Sequence, residues 1–590
     1  MKNPLLDNKF AKFIINERRF HSLDDEDTYD FERQEMVSWF HIPQLAATGF
    51  RAVVSNLFGS FADKREIMAL LAESVNEAYC YTEKDEVWVD YIADLGDGFD
   101  STYTMAHLLA QQELLIAGTT LPRGDILILG GDQVYPTASR EEYRNRFKAP
   151  YNLAFPFSND IPKADMYAVA GNHDWYDGLN NFIRLFCRQR LVGNWQTKQA
   201  RSYFAIELPH NWWIWAIDVQ LEGDVDQVQL NYFEGLKNRM KANDNVILCT
   251  AEPSWVFYAD GKNAGYRSLR YFEDRFFNDA HKPLNYILSL TGDLHHYSRY
   301  TASTEGVKMQ KIVSGGGGAF LHPTHNLPEK LYGLREGNFN LKATFPSKKD
   351  SSSLSRRNFL FPLYNKSFSL YVGAFFLLIT WIIESKKFIS GSGESATFMN
   401  HISQIGTANF FDFILTIKDL YLNNLILLVF NWALIGTLYL HADIPTNQKY
   451  KPIVYKIFGA LHSIVQIIVF YHILWFISHV HLFQNNIYNN IMTQLMIYLI
   501  GGFVVSTIFG IHLFISNHLL GNHDNESFSS LRYEGFKNFL RIRVSNEGLT
   551  IYPIGVTEIS RWVLNDKKNK ATTSKAPKTE LIEDPIQINV

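Results

Sequence analysis

Cysteine is scarce in this chain, which has three cysteines in 590 residues. Cys80, Cys187 and Cys249 stand far apart and match no metal-binding spacing, so they argue against a disulfide framework or a cysteine-rich metal site. An excess of charge is also missing, since 56 Lys and Arg residues face 60 Asp and Glu residues. The net charge of −4 gives no reason to expect a nucleic-acid partner.

Residues 1–20 contain no long apolar run, so we expect no secretory signal there and a cytoplasmic globular part. Residues 1–350 have the mixed composition of a globular protein, whereas apolar stretches dominate residues 368–515. The length and this shift in composition predict at least two domains of different class.

Short apolar runs followed at once by glycine and polar residues recur along the globular part. These runs are residues 87–93, 126–129, 166–170, 246–250, 286–290 and 312–313. Such runs are typical of buried strands, and several of the segments between them have a helical pattern. The sequence therefore predicts an α/β layered domain with a site at the carboxyl ends of its strands.

The residues that follow these runs are rich in oxygen and imidazole ligands. They are Asp94, Asp97, Asp132, Asn172, His173, Asp174, Glu252, Asp293, His295 and His296. Carboxylates, an amide oxygen and imidazoles at neighbouring strand ends could hold two divalent metals that clamp a phosphoryl group. Glycines beside them would let a phosphate approach the backbone closely.

Four segments in this order resemble the signature of the calcineurin-like metallophosphoesterase superfamily. They are Asp94-Leu-Gly96, Gly131-Asp132, Gly171-Asn-His-Asp174 and Gly292-Asp-Leu-His295, within residues 87–325. The resemblance implies a layered β-sandwich flanked by helices, and a metal-dependent phosphoric ester hydrolase with two metal ions.

The resemblance also implies a role for each matching residue. Asp94 and His295 would bind the first metal, Asp132 would bridge both metals, and Asn172 would bind the second. His173 would stay off the metals and act on the phosphate or its leaving group.

Other residues near the motifs have weaker predicted roles. Asp174 could orient His173, and Asp97 could bind the first metal or cap the helix that follows it. His296, Gly316 and Gly317 are candidates for substrate binding. The alternatives are a hydrogen-bonded or solvent-facing histidine and a close-packed glycine turn.

Two positions depart from the family pattern, which has histidines where this chain has Glu252 and Asp293. Their carboxylates could replace the two imidazoles, which gives the second metal an all-oxygen ligand set with Asp132 and Asn172. Such a set favours Mn²⁺ or Mg²⁺, while Fe or Zn could occupy the first site. Alternatively, the second site is lost and the domain binds one metal or none.

Four apolar spans are predicted at residues 368–383, 422–440, 457–477 and 495–515. Lysine and arginine flank the first and last spans on their outer sides and lie between the second and third, but are absent from residues 478–494. The positive-inside rule then predicts a protein of the cytoplasmic membrane with both termini and the catalytic domain in the cytoplasm.

The predicted domain order has six parts. They are a helical extension at 1–85, a metallophosphoesterase domain at 86–346, a linker at 347–366, an all-α four-helix transmembrane bundle at 367–517, a cytoplasmic hairpin at 518–560 and a disordered tail at 561–590.

Together these features predict a membrane-anchored phosphoesterase that hydrolyses a phosphate ester or pyrophosphate through a metal-bound hydroxide. The substrate could be lipid-linked or a nucleotide, and the sequence leaves the oligomeric state open. The alternative is a non-catalytic membrane sensor or scaffold with a degenerate metal site. A transporter is disfavoured because the spans carry no acidic or basic residue at mid-membrane apart from histidines.

Overall fold

The computed structural model describes residues 31–58, 78–219, 225–258, 265–303, 309–389, 395–406, 409–440, 442–444 and 449–589. These residues divide into two compact units. The sheet unit holds the described residues of 1–37, 48–348 and 533–590, and the helical unit holds those of 38–47 and 349–532.

Two large mixed sheets form the centre of the sheet unit. The first sheet has the spatial order Tyr79–Cys80, Phe204–Leu208, Trp212–Ala216, Asn245–Cys249, Asn285–Thr291, Gln310–Ser314, Tyr297–Ala302, Gly337–Phe345 and Lys330–Leu334. The second sheet has the order Glu580–Leu581, Gly548–Val556, Lys537–Ser545, Val87–Ile92, Ile126–Leu129, Ala164–Ala168, Trp195–Thr197 and Leu191–Val192, and Ile586–Ile588 also pairs with Gly548–Val556.

Helices and two small hairpins complete this unit. The helices are Phe99–Ala110, Arg140–Glu142, Tyr143–Lys148, Ala149–Ala154, Asn172–Trp175, Asn180–Phe186, Gln227–Arg239 and Gly265–Phe277. The hairpins pair Glu113–Ile116 with Thr119–Pro122, and Val563–Leu564 with Ala571–Thr572.

The two sheets pack face to face around a shared apolar core. Val87, Val89 and Tyr91 point into this core, where they meet Ile206 and Ile247 of the other sheet. The outer face of each sheet is covered by helices through its own buried cluster. Strands buried on both faces are apolar almost throughout, which is the pattern seen in the sequence. The predicted sandwich flanked by helices is confirmed.

The helical unit is built from apolar helices. They are Lys366–Glu384, Phe398–Ile402, Phe410–Asn423, Leu425–Leu440, Pro452–Ser478, Asn486–Met496, Ile497–Gly501, Gly502–Ile515 and Ser516–Leu520, with the shorter Arg356–Leu360, Phe361–Tyr364 and Asp524–Ser529. The helix Lys348–Ser355 begins at the boundary of the two units, and Phe388–Ile389 pairs with Ser395–Ala396.

Three stretches of the helical unit are long and apolar enough to cross a membrane, namely Lys366–Glu384, Pro452–Ser478 and Asn486–Leu520. A fourth would be the pair Phe410–Asn423 and Leu425–Leu440, which is bent by 103° at its junction. The prediction of a C-terminal region of apolar helices is therefore confirmed, with three long apolar helices and a fourth if the bent pair counts as one, where four spans were predicted. The second predicted span differs, because the chain turns sharply just after residue 423.

The N-terminal extension differs in part from the predicted packed helices. The helix Ile42–Phe58 is present, but Leu45, Phe50 and Val53 on it are exposed among the described residues. The strand Tyr79–Cys80 joins the first sheet beside Phe204–Leu208. The rest of the prediction for this extension, at residues 1–30 and 59–77, lies outside the described residues.

The C-terminal part of the chain also differs from its prediction. The hairpin of Lys537–Ser545 and Gly548–Val556 is present, but it is not a separate segment, since its first strand pairs with Val87–Ile92. The tail predicted to be disordered adds the strands Glu580–Leu581 and Ile586–Ile588 to the same sheet. Backbone pairing with an existing strand orders this polar segment, although its own composition could not.

A buried ion pair joins the returning strand to the rest of the sheet. Arg541 donates from Nε and Nη2 to the two oxygens of Asp90, at 2.7 and 2.9 Å, and from Nη1 to the carbonyl of Leu121 at 3.1 Å. Asp90 is 2% exposed and Arg541 is fully buried. Removing one partner of such a pair leaves an uncompensated buried charge, which costs about 3–5 kcal/mol.

We therefore predict that a chain ending at residue 348 does not fold on its own. It would lack the strand that covers Val87–Ile92 and would leave Asp90 without Arg541. Fusing residues 533–590 to residue 348 through a Gly/Ser linker of about 15 residues should restore a soluble domain. Circular dichroism and thermal unfolding of both proteins test this, and cooperative unfolding of the shorter chain would contradict it.

Candidate metal centre

The parallel strands of the second sheet end at the same level. Val87–Ile92, Ile126–Leu129 and Ala164–Ala168 are paired in register up to their last residues. The predicted ligands that follow these ends are Asp94, Asp132 and Asn172. They therefore share one edge of the sheet, as expected for residues released from neighbouring parallel strands.

The first sheet brings its own strand ends to the same place. A Cβ built onto Gly131 would lie 2.8 Å from Cβ of Ala251, and one on Gly292 would lie 2.5 Å from Cβ of Ala93. Only glycine allows the two sheets to approach this closely. The turn that carries Asp293 thus lies against the turn that carries Asp94.

Three aspartates at this edge have a left-handed backbone, with φ of 59° at Asp94, 46° at Asp132 and 64° at Asp293. Such a conformation costs about 1–2 kcal/mol for a residue other than glycine. Strain of this kind is concentrated at functional sites, where the surrounding structure holds it in place. The three carboxylates are therefore fixed by the fold in a conformation that an unconstrained turn would avoid.

The hydroxyl of Tyr135 lies at the centre of the group, and the sequence reasoning missed it. It donates to Asp132 Oδ2 at 3.0 Å and lies 3.2 Å from Asp94 Oδ1 and 2.9 Å from His295 Nε2. Its side chain is 1% exposed. Little in the sequence marks this residue. A tyrosine three residues after Asp132 and just before Pro136 would ordinarily be read as a surface residue of a turn.

The ring of His295 is held with one nitrogen towards this cluster. Its Nδ1 contacts the carbonyl oxygen of Phe320 at 2.7 Å, so Nδ1 must carry the proton. The lone pair of Nε2 then faces the Tyr135 hydroxyl, and Nε2 is 3.9 Å from Asp94 Oδ1. A backbone carbonyl on the far nitrogen is the usual support of a metal-binding imidazole.

His173 lies beside the same centre through its backbone and its ring. Its N–H donates to Asp132 Oδ1 at 2.9 Å, and Nδ1 contacts the carbonyl oxygen of Pro136 at 2.8 Å. The ring packs 4.4 Å from that of Tyr135 and is half-buried. The fold therefore brings His173 next to the predicted bridging aspartate.

The charges of the cluster are poorly balanced within the protein. Burial raises the pKa of Asp94 well above its ordinary value, and the carboxylates of Asp132 and Asp293 raise it further. Burial likewise raises the pKa of Asp132 to about 7 and that of Asp293 to about 7, the latter also through the charge of Asp132. A group of carboxylates with raised pKa values is a site that a bound cation would stabilise.

Burial also keeps the rings of His295 and His173 neutral. Burial lowers the pKa of His295 well below its ordinary value, with a further contribution from His322, and it lowers the pKa of His173 to about 4. Neutral imidazole is the form that binds a metal or accepts a proton.

Two buried oxygens of the cluster indicate that the residues fit a metal. Among the described residues, neither Asp94 Oδ2 nor Asn172 Oδ1 has a hydrogen-bond donor. Buried oxygens are normally satisfied, so these two are suited to a cation. As the side chains stand, no three His, Cys, Asp or Glu residues in the described ranges are spaced to hold a metal ion. Binding would require small side-chain shifts around the Tyr135 hydroxyl.

The carboxylates predicted to complete the second site differ in their placement. The N–H of Asp293 donates to Asp94 Oδ1 at 3.1 Å, so this residue is part of the cluster. Glu252 follows the strand Asn245–Cys249 and is half-exposed, with its carbonyl bonded by Thr250 Oγ1 at 3.0 Å. The structure therefore joins Asp293 to the predicted ligands more directly than Glu252.

Asp97 and Asp174 are buried near the site with their oxygens already engaged. Asp97 accepts the N–H groups of Val37 and Phe320 at 2.7 and 3.2 Å. Asp174 accepts the N–H of Gly171 at 2.9 Å and the hydroxyl of Tyr143. These contacts favour a role in holding the turns over the predicted roles in metal binding and in orienting the ring of His173.

The predicted substrate contacts are packed inside the unit. His296 is 1% exposed. The N–H of Gly317 donates to the carbonyl of Ala93 at 2.8 Å, and a Cβ on Gly316 would lie 2.2 Å from Asn538 Nδ2. Packing of this kind favours the close-packed turn over an open backbone nest for phosphate.

Comparison with known proteins was made by sequence family and by structure. The calcineurin-like phosphoesterase family model matches residues 87–297, and members of that family bind two divalent metal ions. No curated protein sequence matches the chain.

Two solved structures are similar over part of the chain. A purple acid phosphatase from yellow lupin (Lupinus luteus) seeds is 13% identical, with a TM-score of 0.27 over 41% of this chain and 46% of that protein. PhoD is also 13% identical, with a TM-score of 0.25 over 40% of this chain and 58% of that protein. The chain thus spans about half the length of each.

We predict that Asp293→Ala and Glu252→Ala each raise the dissociation constant for Mn²⁺ by about tenfold or more. Losing a supporting group outside the ligand shell already costs 10- to 100-fold in metal affinity, so losing a ligand should cost at least as much. Isothermal titration calorimetry measures the constant, and the exposed Glu113→Ala is the matched control. Wild-type affinity in both variants would contradict a second site built from carboxylates.

Proposed function

We infer that this chain, which carries a calcineurin-like phosphoesterase domain at residues 87–297, is a membrane-anchored, metal-dependent phosphoesterase. The observation that carries the proposal is the convergence of Asp94, Asp132 and His295 on the hydroxyl of Tyr135, with the N–H of Asp293 donated to Asp94. The proposed reaction is hydrolysis of a phosphate ester or pyrophosphate.

The residues would divide the binding of two divalent ions between them. Asp94 and His295 would hold the first, Asp132 would be shared, and Asn172, Glu252 and Asp293 would hold the second. When bound, the two ions would supply an activated water and neutralise charge on the phosphoryl oxygens. The oxygen-rich second set supports Mn²⁺ or Mg²⁺ there.

Tyr135 would take part through its hydroxyl, because that group already touches the residues proposed for the first and the shared positions. Burial and three neighbouring carboxylates raise its pKa well above the ordinary value, so it donates a hydrogen bond as a neutral phenol when no cation is present. It therefore orders the carboxylates before the ions bind.

His173 would assist the departure of the leaving group by proton transfer. Its backbone N–H is bonded to Asp132 and its ring to the Pro136 carbonyl, so the imidazole is held beside the proposed shared carboxylate. An imidazole within hydrogen-bond distance of a leaving oxygen could exchange a proton with it, which is the role proposed for His173. The unsatisfied buried oxygens of Asp94 and Asn172 favour this enzyme over a non-catalytic scaffold with a degenerate site.

The apolar helices support membrane anchoring, and the substrate is proposed on that basis. A site tethered near a lipid surface is suited to a lipid-linked phosphate, and a soluble nucleotide is the alternative. The distribution of Lys and Arg supports a cytoplasmic location for both chain termini and for the phosphoesterase domain.

We predict that Asp132→Asn lowers Mn²⁺-dependent hydrolysis of an aryl phosphate ester by at least about a hundredfold. The change removes the charge shared by both ions while it preserves side-chain volume, so the thermal midpoint of the metal-free protein should not fall. Asp160→Asn, in an exposed turn before the strand Ala164–Ala168, is the control. Turnover within a factor of three of wild type would remove Asp132 from the centre.

A second prediction concerns the topology. A reporter inserted after Thr446 or fused after Val590 should be located in the cytoplasm, because Lys449, Lys451 and Lys456 follow the first position. A reporter inserted after His481 should be on the opposite side, since residues 478–494 hold no Lys or Arg. Enzymatic reporters active on only one side of the membrane measure this. A cytoplasmic signal after His481 would overturn the proposed orientation.

A further inference from the structure

The segment that follows the strand Gln310–Ser314 is bonded to the backbone of Asp94. We call residues 314–322 the glycine loop. Within it, Gly317 N donates to the carbonyl of Ala93 at 2.8 Å and Ala319 N to that of Asp94 at 3.0 Å. A Cβ on Gly315 would lie 2.3 Å from Asp94 Oδ2. The glycine loop therefore sets where this carboxylate can lie.

The same loop orients His295. The carbonyl of Phe320 accepts from Nδ1 at 2.7 Å, and the N–H of His322 donates to the carbonyl of His295 at 3.3 Å. The rings of His295 and His322 stack with centroids 4.0 Å apart. Both residues proposed for the first metal thus depend on the position of one loop.

The glycine loop is itself held by the strand Lys537–Ser545, through two adjacent residues. Lys537 Nζ donates to the carbonyl of Ala319 at 2.5 Å. Asn538 N donates to the carbonyl of Gly316 at 3.1 Å, and Asn538 Oδ1 accepts from Ser314 Oγ at 2.8 Å. The loop is therefore bonded to this strand at three points, Ser314, Gly316 and Ala319.

Lysine is an unusual residue for holding a buried loop such as the glycine loop. The side chain of Lys537 is fully buried, and an ammonium group in such a place is expensive unless carboxylates lie near it. The carboxylates whose charges act on it are Asp97, Glu534 and Asp94. Asp97 also accepts the N–H of Phe320, so it holds the same loop from the other side. The ammonium group of Lys537, which is bonded to the loop, therefore places positive charge near Asp94.

We propose that Lys537 and Asn538 are positioning residues of the metal centre, which set the geometry of Asp94 and His295 by holding the glycine loop. This inference rests on the proposed function. Both residues lie beyond the 87–297 region that the family model matches. They also follow the helical unit in sequence, so part of the support of the metal centre is encoded after the apolar helices.

The test is Lys537→Met in the full chain, which keeps the apolar stem and removes the donor to Ala319. We expect the dissociation constant for Mn²⁺ at the first site, measured by calorimetry, to rise about 10- to 100-fold, as for other supporting groups of metal ligands. The kcat at saturating Mn²⁺ should stay within about threefold of wild type, since the ligands themselves are intact. Lys575→Met, at an exposed lysine paired with Glu558, is the matched control and should change neither quantity.

Asn538→Ala provides a second variant, which loses the acceptor for Ser314 but introduces no charge. It should weaken Mn²⁺ binding in the same direction, so the proposal can be tested even if Lys537→Met does not fold. Both variants would be compared with wild type in the thermal unfolding of metal-free protein. A lower midpoint with unchanged Mn²⁺ affinity in either folded variant would show a structural role only and would overturn the proposal. Absence of metal-dependent turnover in wild type would instead contradict the proposed function, while weaker Mn²⁺ binding in the variants would still support the positioning role.

Discussion

Negative charge concentrated at the meeting point of two sheets is the constraint on which this structure depends. Asp94, Asp132 and Asp293 are held there by a strained backbone, and burial raises their pKa values, with neighbouring carboxylates adding to the effect at Asp94 and Asp293. A site of this kind is stable only if a cation or a proton completes it. The surrounding residues limit the motion of this site. Glycines allow the two sheets to approach closely, and backbone carbonyl oxygens fix the imidazole rings.

The support for that charge comes from distant parts of the chain. The strand Lys537–Ser545 lies beside Val87–Ile92, and Arg541 neutralises Asp90 in the interior of the sheet. Four residues earlier, Lys537 approaches the glycine loop behind Asp94. One strand therefore contributes a structural ion pair at one point and a support for the metal centre at another. This arrangement links the stability of the fold to the integrity of the site.

Much of the fold and part of the site follow from local sequence. Short apolar runs that end in Gly-Asp or Gly-Asn-His predict strand ends, and parallel strands bring such residues together without further information. This local pattern was enough to predict that Asp94, Asp132 and His295 lie together. Tyr135 was missed because its importance depends on a turn that aims the side chain back into the cluster, and no periodicity marks such a turn. The role of Asp97 was left open between metal binding and helix capping, because its partners Val37 and Phe320 are remote in sequence.

The chain order also restricts how the apolar helices can lie in a bilayer. The helical unit interrupts the sheet unit, which contains residues on both sides of the interruption and pairs their strands within one sheet. If these helices span a membrane, the chain must enter and leave them on the same side, because a folded sheet cannot be divided by a bilayer. An odd number of crossings is excluded by that condition.

Three helices are long enough to cross without a break, so a fourth crossing is needed if all three span. The bent pair Phe410–Asn423 and Leu425–Leu440 is the candidate for it. If that pair crosses, its 103° bend leaves the 16-residue second helix as the crossing part, with its flanks supplying the remaining length.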